Sequence, residues 1–373
     1  MFKINLLEYK KSKIYFQLFD VILKDLEIKK EDFLIDNDIT PSSYRLARKV
    51  EQNIGITIIK KLANIYNLKM LEDSKIDEIE NKINLIYTDM YYKIYDNYDQ
   101  YLIYLDELIK DNNILFPIIK LFKLFLLANA HKDIGKFVEE NKRIYNEIIN
   151  YKSFFNETCQ EVFFILDISM KEINVSEYVM KPYDNALCYF ALSSISLNQG
   201  KYMECIYFID KCKEILINEN NYKRLIYLYL KLMQCYLYFG NYHDCYILSK
   251  QVISMCKSFA LKGYELNSTY KNFITACLAL SKYQEAYETI NSISIVYNNE
   301  LIVYLVCCYE IDPELYKTAY EHYLAMAKNR ENDRLIKVLH IVNEYIVNSN
   351  KKILEEFDDD IMINLIKILK ERK

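Results

Sequence analysis

The feature that most constrains this chain is a short phrase that recurs three times between Leu187 and Ile293. It reads Gly200-Lys201-Tyr202-Met203-Glu204-Cys205, then Gly240-Asn241-Tyr242-His243-Asp244-Cys245, then Ser281-Lys282-Tyr283-Gln284-Glu285-Ala286, at intervals of 40 and 41 residues. Self-similarity at a fixed period of this length marks a stacked array of helical hairpins. Each position suits a tight helix-to-helix turn. A small residue closes the first helix, where left-handed backbone is easiest to adopt. The Tyr two residues on packs back under the turn, and Cys205, Cys245 and Ala286 are small enough for a close helix crossing. Apolar runs flank the turns, such as Ala186 to Leu197 and Ile206 to Leu216. Neither helix of such a hairpin buries its apolar face alone, so neighbouring hairpins must stack.

The phrase resembles the tetratricopeptide repeat, whose small residue, Gly-x-Tyr turn and Ala three residues beyond the Tyr match over roughly a third of the chain. The departures are an early aromatic that is Tyr189, Tyr229 or Tyr270 rather than Trp, no closing Pro, and a period longer than the usual unit of about 34 residues. Longer helices per repeat are therefore expected.

Composition agrees with helices throughout. Only 5 Gly and 4 Pro occur in 373 residues, too few for a chain of hairpin turns, and 52% of the residues are hydrophobic, enough for a large core. No segment alternates Val and Thr, so the expected class is all-α. The first ten residues, Met1 to Lys10, lack the apolar core of a signal peptide, and no uninterrupted apolar run reaches membrane-spanning length. The most apolar window, Ile114 to Ala130, is broken by Pro117, Lys120 and Lys123 and reads as a buried helix. The 10 Cys form neither a CxxC pair nor a Cys and His cluster at zinc spacing. Cys205, Cys245 and Cys212 sit where the repeat wants a small apolar residue, so the thiols read as reduced and structural, and the location as cytoplasmic.

At the start of the chain, Phe19, Ile22, Leu23 and Leu26 share one face at helical spacing. A second short helix follows from Lys29 with Phe33 and Leu34 inward. Thr40 is then a good N-cap and Pro41 is preorganised for the first helical position, so a third helix starts there. The ungapped spacing from Phe33 to Arg48 resembles the helix-turn-helix of Cro-like (XRE-type) DNA-binding domains. Ile39 falls on the apolar residue closing the turn, Thr40 on the cap of the recognition helix and Tyr44 on its inward anchor. Ile58, Ile59, Leu62, Ile65 and Leu68 look like the helices that close such a bundle. Asp38 replaces the usual turn Gly, and Arg48 the usual Glu. From Thr40 to Lys69 the basic residues are Arg45, Arg48, Lys49, Lys60, Lys61 and Lys69, against Glu51 alone, in a chain of net charge -4. The resemblance implies that Thr40, Ser42, Ser43, Arg45, Arg48 and Lys49 meet DNA, phosphates setting register and base edges giving sequence preference.

From Glu72 to Tyr98 an apolar rhythm of Ile76, Ile79, Ile83, Ile86 and Met90 predicts a connecting helix. Helices are expected at 99 to 110, 113 to 130, 133 to 150 and 153 to 172, before Pro182 opens the best repeat. Beyond Val296, Asp312-Pro313 is another cap and first-turn Pro, with helices to Ala327 and from Asp333 to Val347. The apolar tail from Lys351 to Lys373 reads as a cap on the array or a dimer contact. The domains expected are thus residues 1–70, a helix-turn-helix bundle; 71–98, a connecting helix; 99–348, a tetratricopeptide-like array; and 349–373, a capping or dimerisation helix.

Chemistry is hard to build from these residues. His131, His243, His322 and His340 are far apart with no HExxH, 5 scattered Gly make no phosphate loop, and Asp358-Asp359-Asp360 suits a solvated helix start. No enzyme activity, metal or cofactor is expected. A helical array offers instead a groove lined by the first helix of each pair. Counting from the turns places Ser194, Asn198, Tyr227, Lys231, Gln234, Tyr238, Asn267, Lys271, Asn272 and Thr275 on or near it. Amides there suit a peptide backbone, and Lys231 or Lys271 its carboxylate.

The order of head and array resembles the peptide-pheromone receptors of Gram-positive bacteria and their phages, the Rgg, PlcR and PrgX type regulators and the arbitrium receptor. The resemblance implies a cytoplasmic, homodimeric transcription regulator that binds double-stranded DNA, takes a short signalling peptide in its groove and contacts no membrane. The alternative is a helical-repeat adaptor that binds proteins and never touches DNA.

Overall fold

The computed structural model describes residues 3–49, 53–130, 134–170, 185–293, 298–357 and 363–371. Glu51, His131, Pro182, Val296 and Asp358-Asp359-Asp360, named above, lie outside the described residues. The protein is all-helical, with nineteen α-helices and no strand among the described residues, in a repeat-like packing. The chain divides into two compact units, Met1–Gln199 with Asp210–Arg224, and Gly200–Ile209 with Leu225–Lys373.

The first unit opens with α1 (Ser12–Asp25), α2 (Lys30–Asp36), α3 (Pro41–Lys49) and α4 (Asn53–Ile65). Helix α1 packs on α3 and α4, and α3 on α4. Two residues expected inside are exposed. Leu26 and Ile65 are 54% and 40% accessible, because Leu26 lies one residue past the end of α1 and Ile65 is the last residue of α4, where the apolar face has run out. Helix α5 (Asp73–Tyr91) buries Ile76, Ile79, Ile83, Ile86 and Met90, as their spacing predicts, and packs on α7. Then come α6 (Tyr98–Lys110), α7 (Phe116–Ala130), α8 (Ile134–Ile149), α9 (Glu157–Met170) and α10 (Ala186–Asn198), with α11 (Tyr202–Asn218) next in the chain. Helix α7 is buried almost all round and touches α6, α8 and α9, which accounts for its hydropathy without a membrane.

The end of α5 is gripped by one side chain. Arg224, in the first turn of α12 (Tyr222–Phe239), is 1% exposed, and its guanidinium donates to the carbonyls of Tyr91 (2.9 Å) and Met90 (2.6 Å). It lies over the Phe190 ring at 4.9 Å. A helix leaves its last carbonyls without intrahelical partners, and here a buried planar donor takes two of them. The Asn221 amide donates to the same Tyr91 carbonyl at 2.8 Å.

In the second unit, α13 (Tyr242–Ser258) packs on α14 (Tyr264–Ala279), α14 on α15 (Tyr283–Ser292), and so on through α16 (Asn298–Ile311), α17 (Pro313–Asn329) and α18 (Asp333–Val347). Helix α14 also touches α16, and α16 touches α18, so alternate helices line up as in stacked hairpins. The recurring phrase behaves as its chemistry requires. Gly200, Gly240 and Ser281 have φ of 69°, 75° and 56°, and Cys205, Cys245 and Ala286 are fully buried. At Gly240 and Ser281 the next N–H reaches back to Tyr236 (2.9 Å) and Cys277 (2.8 Å), closing the preceding helix. The same left-handed closure is made elsewhere by Glu27, Asp38, Asn67, Lys93, Ala260 and Glu331. Few glycines are therefore needed, since long helices have few ends.

The tail, a 3-10 helix at Lys351–Glu356 and α19 (Ile363–Glu371), folds back on its own chain. Leu354, Leu365, Ile368 and Leu369 are buried, and the Tyr345 hydroxyl of α18 donates to the Leu369 carbonyl at 2.9 Å.

Candidate functional site

Helix α3 is set by the residue that caps it and by its inward face. The Thr40 hydroxyl accepts the Ser43 N–H at 3.1 Å, which is N-cap geometry, and also lies 2.6 Å from the Ser43 hydroxyl and 3.1 Å from that of Ser42. The preceding turn is closed by Asp38 at φ 54°, with the Ile39 N–H on the Leu34 carbonyl at 2.8 Å. A short polar side chain tolerates this conformation better than most. Tyr44 and Ala47 point inward, and the Tyr44 ring meets Phe16 of α1 edge-on at 5.1 Å.

One carboxylate organises this corner. Asp20 of α1 accepts from the Tyr44 hydroxyl at 2.9 Å and pairs with Lys30 at 2.5 Å and Arg48 at 3.1 Å. Burial first, then the Asp20 charge, raises the Tyr44 hydroxyl pKa far above its ordinary value, so it stays a donor. The ammonium of Lys30 also sits 4.4 Å from the Tyr44 ring. Arg48 is thus engaged within the protein although its side chain is 48% exposed.

The outward face of α3 carries Ser42, Arg45, Leu46 and Lys49, all exposed. Among the described residues no ion pair is seen at Arg45, Lys49 or the exposed Lys60 of α4, whereas Lys61 donates to the Asn37 carbonyl and Lys69 pairs with Asp111 at 3.0 Å. Residues 1–70 hold 13 basic and 9 acidic side chains in a chain of net charge -4, so the positive balance belongs to this end. Of the residues the sequence singled out, Thr40 and Ser43 serve the cap, Arg48 serves Asp20, and Ser42, Arg45 and Lys49 face solvent.

The groove residues fall in both units. Asn198 ends α10 in the first unit and is exposed, and Ser194 on the same helix is half-buried and donates to the Phe190 carbonyl at 3.0 Å. The remainder lie in the second unit on α12 and α14. There the Tyr227 hydroxyl donates to Glu265 at 2.5 Å, and its ring stacks on Tyr264 at 6.2 Å. Lys271 pairs with Glu300 of α16 at 2.9 Å, and that carboxylate is only 4% exposed. Tyr238 stacks on Tyr202 at 3.7 Å. The Asn272 amide reaches the Met233 sulfur at 3.7 Å, and the Thr275 hydroxyl donates to the Lys271 carbonyl at 2.8 Å. Gln234 and Asn267 are exposed, and Lys231 is half-buried. The Lys271 ammonium is thus already paired, and a ligand carboxylate there would share it with the nearly buried Glu300.

Sequence spacing did not reveal Asp20, Glu265 or Glu300. The one signal at Asp20 is an acid beside the apolar face of α1. Among the described residues no group of His, Cys, Asp and Glu is arranged to hold a metal ion, and no helix is long and apolar enough to cross a membrane. Comparison with protein-family models, with curated proteins and with solved structures found no match.

Proposed function

We propose that this chain is a DNA-binding transcription regulator, with a helix-turn-helix at residues 1–70 and a tetratricopeptide-like array that takes a short peptide. The observation that carries the reading is the outward face of α3. A capped helix, anchored inward by Tyr44 and Ala47, presents Ser42, Arg45 and Lys49 to solvent at the basic end of an otherwise acidic chain. Cations of this kind neutralise phosphates, and a hydroxyl or guanidinium near the start of such a helix reaches base edges. In this proposal Arg45 and Lys49 contact DNA, while Arg48 and Asp20 hold α3 at its angle on α1.

The peptide in this reading meets the exposed amides Gln234 and Asn267 and the tyrosines of α12 and α14, whose rings give apolar area and whose hydroxyls give hydrogen bonds. It shifts DNA binding only by preferring one conformation of the protein. The protein works as a homodimer without catalysis. Selection of bound fragments from a random duplex pool tests the reading. A two-fold symmetric consensus supports a dimeric regulator. No enrichment leaves the helical-repeat adaptor as the better description.

A further inference from the structure

The first residues of the chain point to a binding site that stands whether or not the protein binds DNA. Ile4 and Leu6 are fully buried while Lys3 and Asn5 are exposed, the alternation of an extended peptide, before the chain turns at Leu6 into a 3-10 helix at Leu7–Lys10. Among the described residues no strand pairs with this segment. Its main chain is held by side chains instead. On one side Asn84 of α5 accepts the Ile4 N–H at 2.8 Å and donates to the Ile4 carbonyl at 2.9 Å, while the Glu80 carboxylate accepts the Leu6 N–H at 2.6 Å. On the other side the Asn156 amide donates to the Asn5 carbonyl at 2.6 Å, and the Thr158 hydroxyl accepts the Asn5 N–H at 3.3 Å.

Four side chains thus grip the backbone groups of three successive residues, and the grip is itself fixed. The Asn156 side-chain oxygen caps α9 by accepting the Cys159 N–H at 3.0 Å, so its NH2 is aimed at the segment. The Asn84 NH2 also donates to the Glu80 carbonyl at 3.0 Å. A carboxamide that donates to and accepts from one residue recognises an extended main chain whatever its sequence, and pockets for alternate side chains supply selectivity.

We propose that the slot between Glu80 and Asn84 on α5 and Asn156 and Thr158 at the start of α9 is a peptide-binding site, filled in cis by the chain's own N-terminal segment, with which an extended peptide bearing aliphatic residues at alternate positions exchanges. The segment runs through the 3-10 helix Leu7–Lys10 into α1, whose Tyr15 hydroxyl donates to the Tyr9 carbonyl and whose Asp20 holds α3. An exchanging peptide therefore frees the leader of the helix on which α3 is seated.

The test uses the full chain carrying Ile4→Asp and Leu6→Asp, and a fluorescent peptide with the sequence of residues 3–9. The peptide should bind this variant and bind the unaltered chain at least about tenfold more weakly, because the tethered segment competes at high effective concentration. Adding Asn84→Ala should weaken peptide binding by roughly tenfold, the worth of two ordinary hydrogen bonds. No binding to the variant, or equal binding to both chains, overturns the proposal. If the variant does not fold, hydrogen exchange on the unaltered chain decides. The Ile4 and Leu6 amides should exchange by an opening that leaves the buried amides of α5 protected, and exchange only together with α5 overturns it.

Discussion

The two units hold their helices in place with polar contacts of very different reach. In the first, Ile4 and Asn84 are 80 residues apart, Arg224 and Met90 are 134 apart, and Asn5 and Asn156 are 151 apart. In the second, Tyr227 reaches Glu265 over 38 residues, and Tyr246 reaches Glu285 and Asn272 reaches Met233 over 39. The second set falls just short of one period of the recurring turn phrase. The second unit therefore behaves as a row in which each hairpin is secured by the next, while the first is tied together by contacts between residues far apart in sequence.

The sharpest way to break this contrast is Arg224→Ala. It leaves the Met90 carbonyl to the Lys93 N–H at 3.3 Å and that of Tyr91 to Asn221, and the loss of two hydrogen bonds from a charged group is expected to cost about 3 to 5 kcal/mol in urea unfolding of the first unit. Amides of α5 should lose hydrogen-exchange protection although they are distant in sequence from the substitution. A loss under about 1 kcal/mol would mean that other donors replace the guanidinium.

Ala286→Leu probes the other side of the comparison. It overfills a closed crossing in the second unit and should cost about 1 to 3 kcal/mol. Lost protection should stay within α14, α15 and α16. If it spreads evenly to α18, the second unit is not a row of nearest neighbours.

Ser281→Gly should act in the opposite direction. Glycine adopts the left-handed backbone already present at φ 56° without the cost a side chain carries there, so a gain of about 0.5 to 1 kcal/mol is expected in thermal unfolding. No gain would mean that the Ser281 hydroxyl, 3.2 Å from that of Tyr283, contributes as much as the backbone costs.

The smallest effect is read as a slope against pH. Burial raises the pKa of Glu161 on α9 above the ordinary carboxylate value, although a hydrogen bond with Asn185 opposes the shift. The folded chain then holds this proton more tightly than the unfolded one. Its contribution to stability is present below the unfolded pKa and lost as pH rises through the folded value. Glu161→Gln should match the unaltered chain in acid and exceed it at neutral pH. An unchanged pH profile would place the source of the slope elsewhere.

What the sequence revealed and what it hid divide along the same line of reach. The Thr40-Pro41 and Asp312-Pro313 caps start α3 and α17, and the phrases at Gly240 and Ser281 close helices, because each signal lies within a few residues of what it controls. The grip of Asn84 and Asn156 on the first residues could not be read, since nothing in local spacing joins positions so far apart. The charge of Lys271 is legible, while its partner, Glu300, lies in the next hairpin outside the turn phrase. The charge of Arg48 is likewise legible in the sequence, while the Asp20 that pairs with it on α1 is not.

The proposal for α3 meets its most direct test in fluorescence anisotropy of a labelled duplex titrated with the full chain and with Arg45→Glu, at low and at moderate salt. The expected result is binding by the unaltered chain that weakens as salt rises, with the reversal lowering affinity by about tenfold or more and flattening the salt dependence. Absence of binding by the unaltered chain, or equal affinity and salt dependence for both, would contradict a DNA-facing role for this helix.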